Sequence, residues 1–459
     1  MIPRNFFLTA VIYLHSSAPF AYSNEIVSRQ TEGKFEIPLS IEASASATLE
    51  ANKIRNERLQ QDMLVYDWGL GANPLPVPEK IKKAIAENCG DKSYGSPRGI
   101  PELGELIASN YSLPNYHLNK ESVIVAPGLK QLINDVQLAF GGPIVHISPH
   151  WVSYEEQVKI HNKKYYTIET SIETGFKITP DLIEKFSANN PSLVQQTKLV
   201  IFNHPTNPTG VAYTKEEIVG LAKSFAEHNF IVFSDEVYLG NTYDGERTSI
   251  AQWIPERTIR ASSLSKEYGL GGYRLGWATF PDSLKALNDL MFAIGTSAYS
   301  CGSKPAQYAA VAALSGGEEI EAFIKNGRSI FATAASILTT RFKEIDLYTV
   351  TPTAAWYFLL DFSKYQNQLK RNGIHSSIEL CSRLAKELGI IFVPGEAFGF
   401  KSPSFKVRAS FVDFKPEDAL AWLNNQRGIA AAKNTEMPPT WMNKMLTSTK
   451  ELEHWLRKL

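Results

Sequence analysis

The chain is short of cysteine. Three residues, Cys89, Cys301 and Cys381, stand far apart among 459. An odd and scattered set builds no disulfide framework and offers no zinc-ligand spacing, which leaves buried thiols in a reducing compartment. Net charge is missing as well, since 47 basic side chains balance 47 acidic ones. Without a surplus field there is no electrostatic reason to expect nucleic acid or an anionic membrane as partner. No internal repeat and no low-complexity tract is present, and no apolar run is long enough to span a bilayer. What remains, 44% hydrophobic and 20% charged, is the composition of a globular protein. Its length suits two domains, or one large domain with an appendage.

The first residues, MIPRNFFLTAVIYLHSSAPFAYSN, hold one early cation, the apolar run FFLTAVIYL, and small residues at Ala21 and Ser23. No acid precedes Glu25. This suits a secretory signal peptide over 1–23, and equally an apolar arm or a start codon placed too early. Cysteine usage points to the cytoplasm and the leader to export, so both compartments stay open. Residues 24–45 are polar and aperiodic and are expected to form a linker.

From Ser46 the pattern is helical in ATLEANKIRNERLQQ, then strand-like in LVYDWGL, then a turn in GANPLPVP. KIKKAIAENC and PELGELIASNY read as helices. Beyond them short β-branched strands alternate with helices: SVIVAP, PIVHISP, KLVIFNHP, NFIVFSDEVY and RTIRASSLS. Such alternation predicts an α/β fold, a mostly parallel sheet covered by helices on both faces. Ligands of such sheets sit beyond the carboxyl ends of the strands. Residues 282–345 are helix-rich and predict a long connecting helix. LYTVTPTAAWYFLLDF, a helical 376–389 and FKVRASF predict a smaller α+β domain built from both chain ends, 46–72 together with 325–459. The large domain is then 73–324. Residues 425–447 read as an irregular insertion before a final helix, ELEHWLRKL.

The unusual residues gather at the predicted strand ends. In ASSLSKEYGLGGYR, Lys266 stands between Ser263, Ser265 and the glycines 269, 271 and 272, and Arg274 follows eight residues on. Glycines let backbone approach a ligand, and a guanidinium fork fits a phosphate dianion. A lysine beside such a site is the expected nucleophile for a Schiff base to an aldehyde cofactor, which points to pyridoxal 5′-phosphate. SDEVY supplies Asp235 for a pyridine nitrogen and Tyr238 for the phenolic oxygen, with Asn207 of NHPTNPTG beside it. APGLKQL places the amides of Leu129 and Lys130 at a helix start, a cradle for phosphate. Trp151 of PHWVSY is placed to stack on the ring. Each element alone has a plain structural explanation: a turn, a capping acid, a core aromatic. Their succession at consecutive strand ends does not.

These blocks resemble the class I/II aminotransferases of the aspartate aminotransferase fold type, from about Ser44 to Ser410. SATLEANKIRNERLQ, YGSPRGIPELGELIA, NHPTNPTG, SDEVY, SLSKEYGLGGYRLGW, VPGEAFG and VRASF carry the likeness. The resemblance implies that Lys266 binds the cofactor covalently and shuttles the substrate Cα proton. It implies Asp235 at the ring nitrogen, Asn207 and Tyr238 at the phenolic oxygen, and Ser263, Ser265, Arg274 and the amides of Leu129 and Lys130 at the phosphate. It further implies Arg408 as clamp for the substrate α-carboxylate, Gly71 with its backbone facing that carboxylate, and Tyr94 reaching the partner subunit's phosphate in a homodimer. By sequence alone Arg408 suits a surface strand. The implied reaction is ping-pong transfer of an amino group between an L-amino acid and a 2-oxo acid. Lys130 leans toward an acidic side chain; His150, Leu129 and Tyr299 lean toward an aromatic or bulky one.

Two further readings share the motifs. A carbon–sulfur lyase or related elimination enzyme would use the same constellation. The aminocyclopropane-carboxylate synthases carry a glutamate where this chain has Ala72, which argues against that branch. A cofactor-binding transcription regulator would need a DNA-binding module, and the residues before the fold show neither a helix-turn-helix pattern nor a basic stripe.

Overall fold

The computed structural model describes residues 45–426 and 438–459. The predicted leader over 1–23 and nearly all of the linker over 24–45 lie outside the described residues. Twelve strands are present among the described residues. They are β1 (Tyr66–Asp67), β2 (Val123–Ala126), β3 (Ile144–Ser148), β4 (Tyr165–Glu169), β5 (Lys198–Asn203) and β6 (Phe230–Asp235). β7 (Thr258–Ser263), β8 (Gly276–Thr279), β9 (Tyr357–Asp361), β10 (Ile390–Ile391), β11 (Val393–Pro394) and β12 (Lys406–Ser410) complete the set.

β2 to β8 form one seven-stranded sheet in the order β2-β8-β7-β6-β5-β3-β4. β3, β4, β5, β6 and β7 run parallel, and only β8 runs against its neighbours β2 and β7. VIVA and IVHIS are buried along their whole length, as strands with helices on both faces must be. On one face Ile124, Ala126 and Ile144 pack into the main core cluster; on the other, Val123 and Val125 enter one further cluster and Val145 and Ile147 another. The predicted fold class is the one observed.

The single antiparallel strand matters for the site. Gly276, at its start, pairs with Ala126 at the end of β2 and with Ser263 at the end of β7. Arg274, two residues earlier, therefore leaves the sheet at the same edge as the carboxyl ends of its parallel strands. A side chain on Gly276 would meet the Leu129 nitrogen at 2.4 Å, so the helix Leu129–Ala139 starts hard against the sheet.

β9, β11 and β12 make a separate antiparallel sheet, and β1 pairs in parallel with β10. Trp68 Nε1 donates to Ser448 Oγ at 3.0 Å, and Ser410 N donates to the Trp68 carbonyl at 2.7 Å. Both ends of the described chain thus meet around Trp68. LVYDWGL pairs only over Tyr66–Asp67, because the next residues turn into the site. The helical stretch after β8 comprises Lys285–Ala298, Lys304–Leu314 and the 27-residue Glu318–Glu344.

The expected irregular segment over 425–447 needs correction at both ends. Helix Pro416–Gln426 runs into it, and the last helix already begins at Asn443 rather than at Glu451. Met445, Ser448, Thr449, Leu452, Trp455 and Leu456 are buried at helical spacing, so one apolar face carries the helix through the polar-looking TSTKE. Residues 427–437 lie outside the described ones. No described helix is long and apolar enough to cross a membrane.

Candidate active site

Beyond the carboxyl ends of the parallel strands lies a cavity of about 420 Å³. Its walls include Lys266, Asp235, Tyr238, Asn207, Ser263, Ser265, Arg274, Leu129, Lys130, Trp151 and Gly71. Eleven residues named from sequence are therefore brought to one space. A smaller chamber of about 150 Å³ adjoins it and shares Lys266, Gly71, Lys130, Trp151 and Asn207; Arg408 and Tyr357 close its far side. Tyr94 lines neither chamber and is 92% exposed.

At the anion end, Gly128 has φ +90° and caps the helix Leu129–Ala139. A Cβ there would lie 2.5 Å from Arg274 Nη2, so only glycine lets that guanidinium cross the helix start. Arg274 Nη1 donates to the Gly271 carbonyl at 2.8 Å, which leaves the fork beside the free first amides of the helix. Arg274 itself adopts φ +54° at the close of the glycine run. Ser263 Oγ accepts from Ser265 N at 3.2 Å, holding the turn that delivers Lys266.

At the opposite end Asp235 is buried, and burial raises its carboxyl pKa from an ordinary 3.8 to about 6. Its Oδ2 accepts from Tyr154 Oη at 2.5 Å and its Oδ1 from Val237 N at 3.2 Å. Asn203 faces Asp235 across the β5–β6 pairing. Its Nδ2 donates to the Asp235 carbonyl at 3.0 Å, and its Oδ1 accepts from Asn207 N at 2.8 Å. That pair of bonds fixes the NHPTNPTG turn to the sheet.

Lys266 Nζ donates to the Gly71 carbonyl at 2.5 Å and lies 5.9 Å from the Tyr238 ring centre. Lys130 Nζ lies 5.0 Å over the Trp151 ring, and its pKa is lowered, first by partial burial and then by Arg274. Arg408 is 2% exposed, contrary to the surface strand its sequence suggests. Its Nη2 donates to the Gly69 carbonyl at 2.5 Å and its Nη1 to Asn207 Oδ1 at 3.3 Å, while its Nε has no partner. Gly71 itself lines both chambers.

His150 and Tyr299 line neither chamber. His150 is buried against His146 and Tyr154 beneath Gly399, and Tyr299 packs against Gly295. A residue next to a site residue in sequence points elsewhere when the chain turns into a helix, as it does at Ser153. The residues missed from sequence are Tyr154, Asn203 and Tyr357. Asn203 was findable as the last residue of a strand whose neighbour ends in Asp235. Tyr154 and Tyr357 carry no local signal that separates them from core aromatics.

An α/β enzyme is defined here by a lysine, a buried carboxyl and an anion cradle at one sheet edge. Residues 65–417 match the family model for aminotransferase class I and II, and the chain belongs to that family. It is a transaminase. The chain is 31% identical over 374 residues to the aspartate/prephenate aminotransferase of Cereibacter sphaeroides, covering 78% of this chain and 90% of that one. It is also similar in structure to the Thermus thermophilus aspartate aminotransferase with maleate. There the TM-score is 0.73 at 28% identity, covering 83% of this chain and 96% of that one. The aromatic aminotransferase of Pyrococcus horikoshii gives a TM-score of 0.71 at 26% identity, covering 88% and 99%. These likenesses support amino-group transfer and lend nothing to the carbon–sulfur lyase reading.

Proposed function

We propose that the chain is a pyridoxal 5′-phosphate-dependent transaminase acting as a homodimer. It exchanges an amino group between an L-amino acid with an acidic side chain and a 2-oxo acid. The observation that carries this reading is the convergence of Lys266, buried Asp235 and the Arg274–Gly128 cradle on one cavity. The residues suit the cofactor's three ends. The cradle that a Cβ on Gly128 would fill takes the phosphate, together with Ser263, Ser265 and the amides of Leu129 and Lys130. Asp235 takes the ring nitrogen, and Asn207 and Tyr238 take the phenolic oxygen, with Trp151 against the ring face.

When bound, the cofactor supplies an aldehyde that accepts the amino group and a ring that withdraws electrons from Cα. The chain does the rest. Arg408, with an unpartnered Nε in the adjoining chamber, binds the substrate α-carboxylate and holds the Cα–H bond across the ring plane. Lys266, as the free amine, would take the Cα proton and return it to the carbon on the far side of the transferred nitrogen, from a place beside the Gly71 carbonyl. Asp235 keeps a positive charge on the ring nitrogen.

Lys130 supports the acidic side chain as donor, because it lines both chambers, whereas the aromatic candidates His150 and Tyr299 line neither. Tyr94, exposed in one chain, supports a partner-facing role. The test is spectroscopic and kinetic. Purified protein given the cofactor is expected to absorb at about 410–430 nm as a lysine-bound aldehyde. Lys266→Ala is expected to lose the borohydride-reducible adduct. A panel of donors with 2-oxoglutarate is expected to yield a stoichiometric new amino acid. Lys130→Met is expected to lower kcat/KM for acidic donors about tenfold, the loss of one charge-assisted contact, while sparing aromatic ones. A wild-type protein without the band, or one that releases ammonia and pyruvate with no acceptor, contradicts the proposal.

A further inference from the structure

Tyr357 has no role in the reading above, yet its hydroxyl stands where the two chambers meet. The side chain is buried. Its Oη lies 2.7 Å from Tyr238 Oη and 3.4 Å from the Gly71 carbonyl, the same carbonyl that accepts from Lys266 Nζ at 2.5 Å. Its ring centre lies 4.8 Å from the Arg408 guanidinium carbon. The sheet explains that contact. Tyr357 pairs with Ser410 and Leu359 with Arg408. Residues two apart on a strand share a face, so Tyr357 and Arg408 are diagonal neighbours on one face.

The glycine at 71 also follows from this hydroxyl. A Cβ at that position would sit 2.2 Å from Tyr357 Oη and 2.5 Å from Cε1 of the same ring. Glycine is thus required by the tyrosine, and the backbone carbonyl it carries accepts from Lys266 and lies 3.4 Å from the Tyr357 hydroxyl.

Each tyrosine has one hydrogen to give, and in a close pair only one hydroxyl donates to the other. If Tyr357 gave its hydrogen to Gly71, Tyr238 would spend its own on Tyr357. If Tyr357 gives to Tyr238, the Tyr238 hydrogen is free to point into the larger chamber. The 2.7 Å contact is made in either arrangement, and the second gives up only the 3.4 Å bond to Gly71, a long one that returns little beside a Tyr238 hydrogen free to reach the larger chamber.

We propose that Tyr357 is a positioning residue whose hydroxyl donates to Tyr238 and thereby commits the Tyr238 hydrogen to the phenolic oxygen of the bound cofactor. This rests on the cofactor reading given under Proposed function. A donor held on that oxygen stabilises its negative charge. It therefore lowers the proton affinity of the neighbouring nitrogen contributed by Lys266. A polarised chain of two hydroxyls does this more strongly than one hydroxyl alone.

The experiment is a pH titration of the near-visible band of the cofactor-loaded protein in four forms: wild type, Tyr357→Phe, Tyr238→Phe and the double variant. Tyr357→Phe is expected to move the midpoint up by about half to one pH unit, a threefold to tenfold gain in proton affinity, as weakening one neutral hydrogen bond does. Tyr238→Phe is expected to move it further. In the Tyr238→Phe background, Tyr357→Phe is expected to add nothing, which a merely structural role for Tyr357 would not produce. An unmoved midpoint in Tyr357→Phe, or shifts that add in the double variant, overturns the inference alone. A wild type with no band at all overturns the cofactor reading and the inference with it. Thermal melts of the four forms identify any variant that has lost its fold. If Tyr357→Phe is one, Gly71→Ala, whose Cβ displaces the same hydroxyl, gives the second titration and the same expected rise.

Discussion

Replacing Arg408 by methionine separates a functional arginine from a structural one. The guanidinium is 2% exposed, and among the described residues no carboxylate lies within ion-pair distance. Burying an ion costs several kcal/mol after relaxation. The returns are one bond to the Gly69 carbonyl, a longer one to Asn207, and the faces of Tyr357 and Phe398 at 4.8 and 5.2 Å. A charged hydrogen bond returns about 1.5–3 kcal/mol and each ring about 1 kcal/mol, so cost and return nearly cancel. Arg408→Met, of similar length and apolar, is therefore expected to leave the cofactor-free protein within about 2 kcal/mol of wild type, or to stabilise it. Activity behaves otherwise. Loss of a buried bidentate clamp is expected to cost about 3–5 kcal/mol of transition-state binding, on the order of a hundredfold to several-thousandfold in kcat/KM. Urea unfolding of the cofactor-free protein gives the first quantity and steady-state kinetics the second. A dicarboxylate such as maleate at a hundred times its Kd is expected to stabilise wild type by about 2.7 kcal/mol and the variant hardly at all. A variant that loses more than about 3 kcal/mol of stability yet keeps kcat/KM would show that Arg408 is a core residue and not a clamp.

Three further outcomes are expected. The Asp235 carboxyl has a folded pKa of about 6 against an ordinary 3.8, so the folded chain holds this proton more tightly than the unfolded one. Its contribution is full below about pH 4 and lost as pH rises through about 6, some two pH units or about 3 kcal/mol. Cofactor-free wild type should show that slope in its melting temperature and Asp235→Asn should not; equal slopes would remove the buried carboxyl from the account. Gly128→Ala places a β-carbon at φ +90° and 2.5 Å from Arg274 Nη2. Backbone strain of about 1–2 kcal/mol and a displaced guanidinium should raise the cofactor Kd at least about tenfold, and an unchanged spectral titration would refute the cradle. Tyr94→Phe, at a residue 92% exposed, should leave stability within about 0.5 kcal/mol of wild type. It should nevertheless weaken cofactor binding in a particle that sediments as a dimer, whereas a monomer with unaltered affinity would deny Tyr94 a partner-facing role.

Much of the sheet was legible because most of its strands are buried along nearly their whole length. VIVA, IVHIS and KLVIFN can be little else between turn residues and helices, and parallel order follows from the helices between them. The site was legible where chemistry sits at a strand's end, since Lys266, Asp235 and Asn207 each close a strand or its turn. The substrate side was harder to read. Arg408 looks like a surface residue in KVRAS, and its burial depends on Phe398 and on Tyr357, the latter distant in the chain. The last helix was underestimated because its buried face itself includes Ser448 and Thr449, which break the apolar pattern in sequence.

Sequence alone determined the fold class, the strand-end constellation and the family to which these motifs belong, because such features depend on local pattern and on residue order. Only the tertiary structure decided which hydroxyls meet. Tyr154 reaches Asp235 across 81 residues and Tyr357 reaches Tyr238 across 119. It also decided that His150 and Tyr299 turn away from the chambers, and that Gly71 is a glycine because of Tyr357. Hydrogen-bond partners far apart in the chain are set by how sheets and helices stack, and no spacing along the sequence records that.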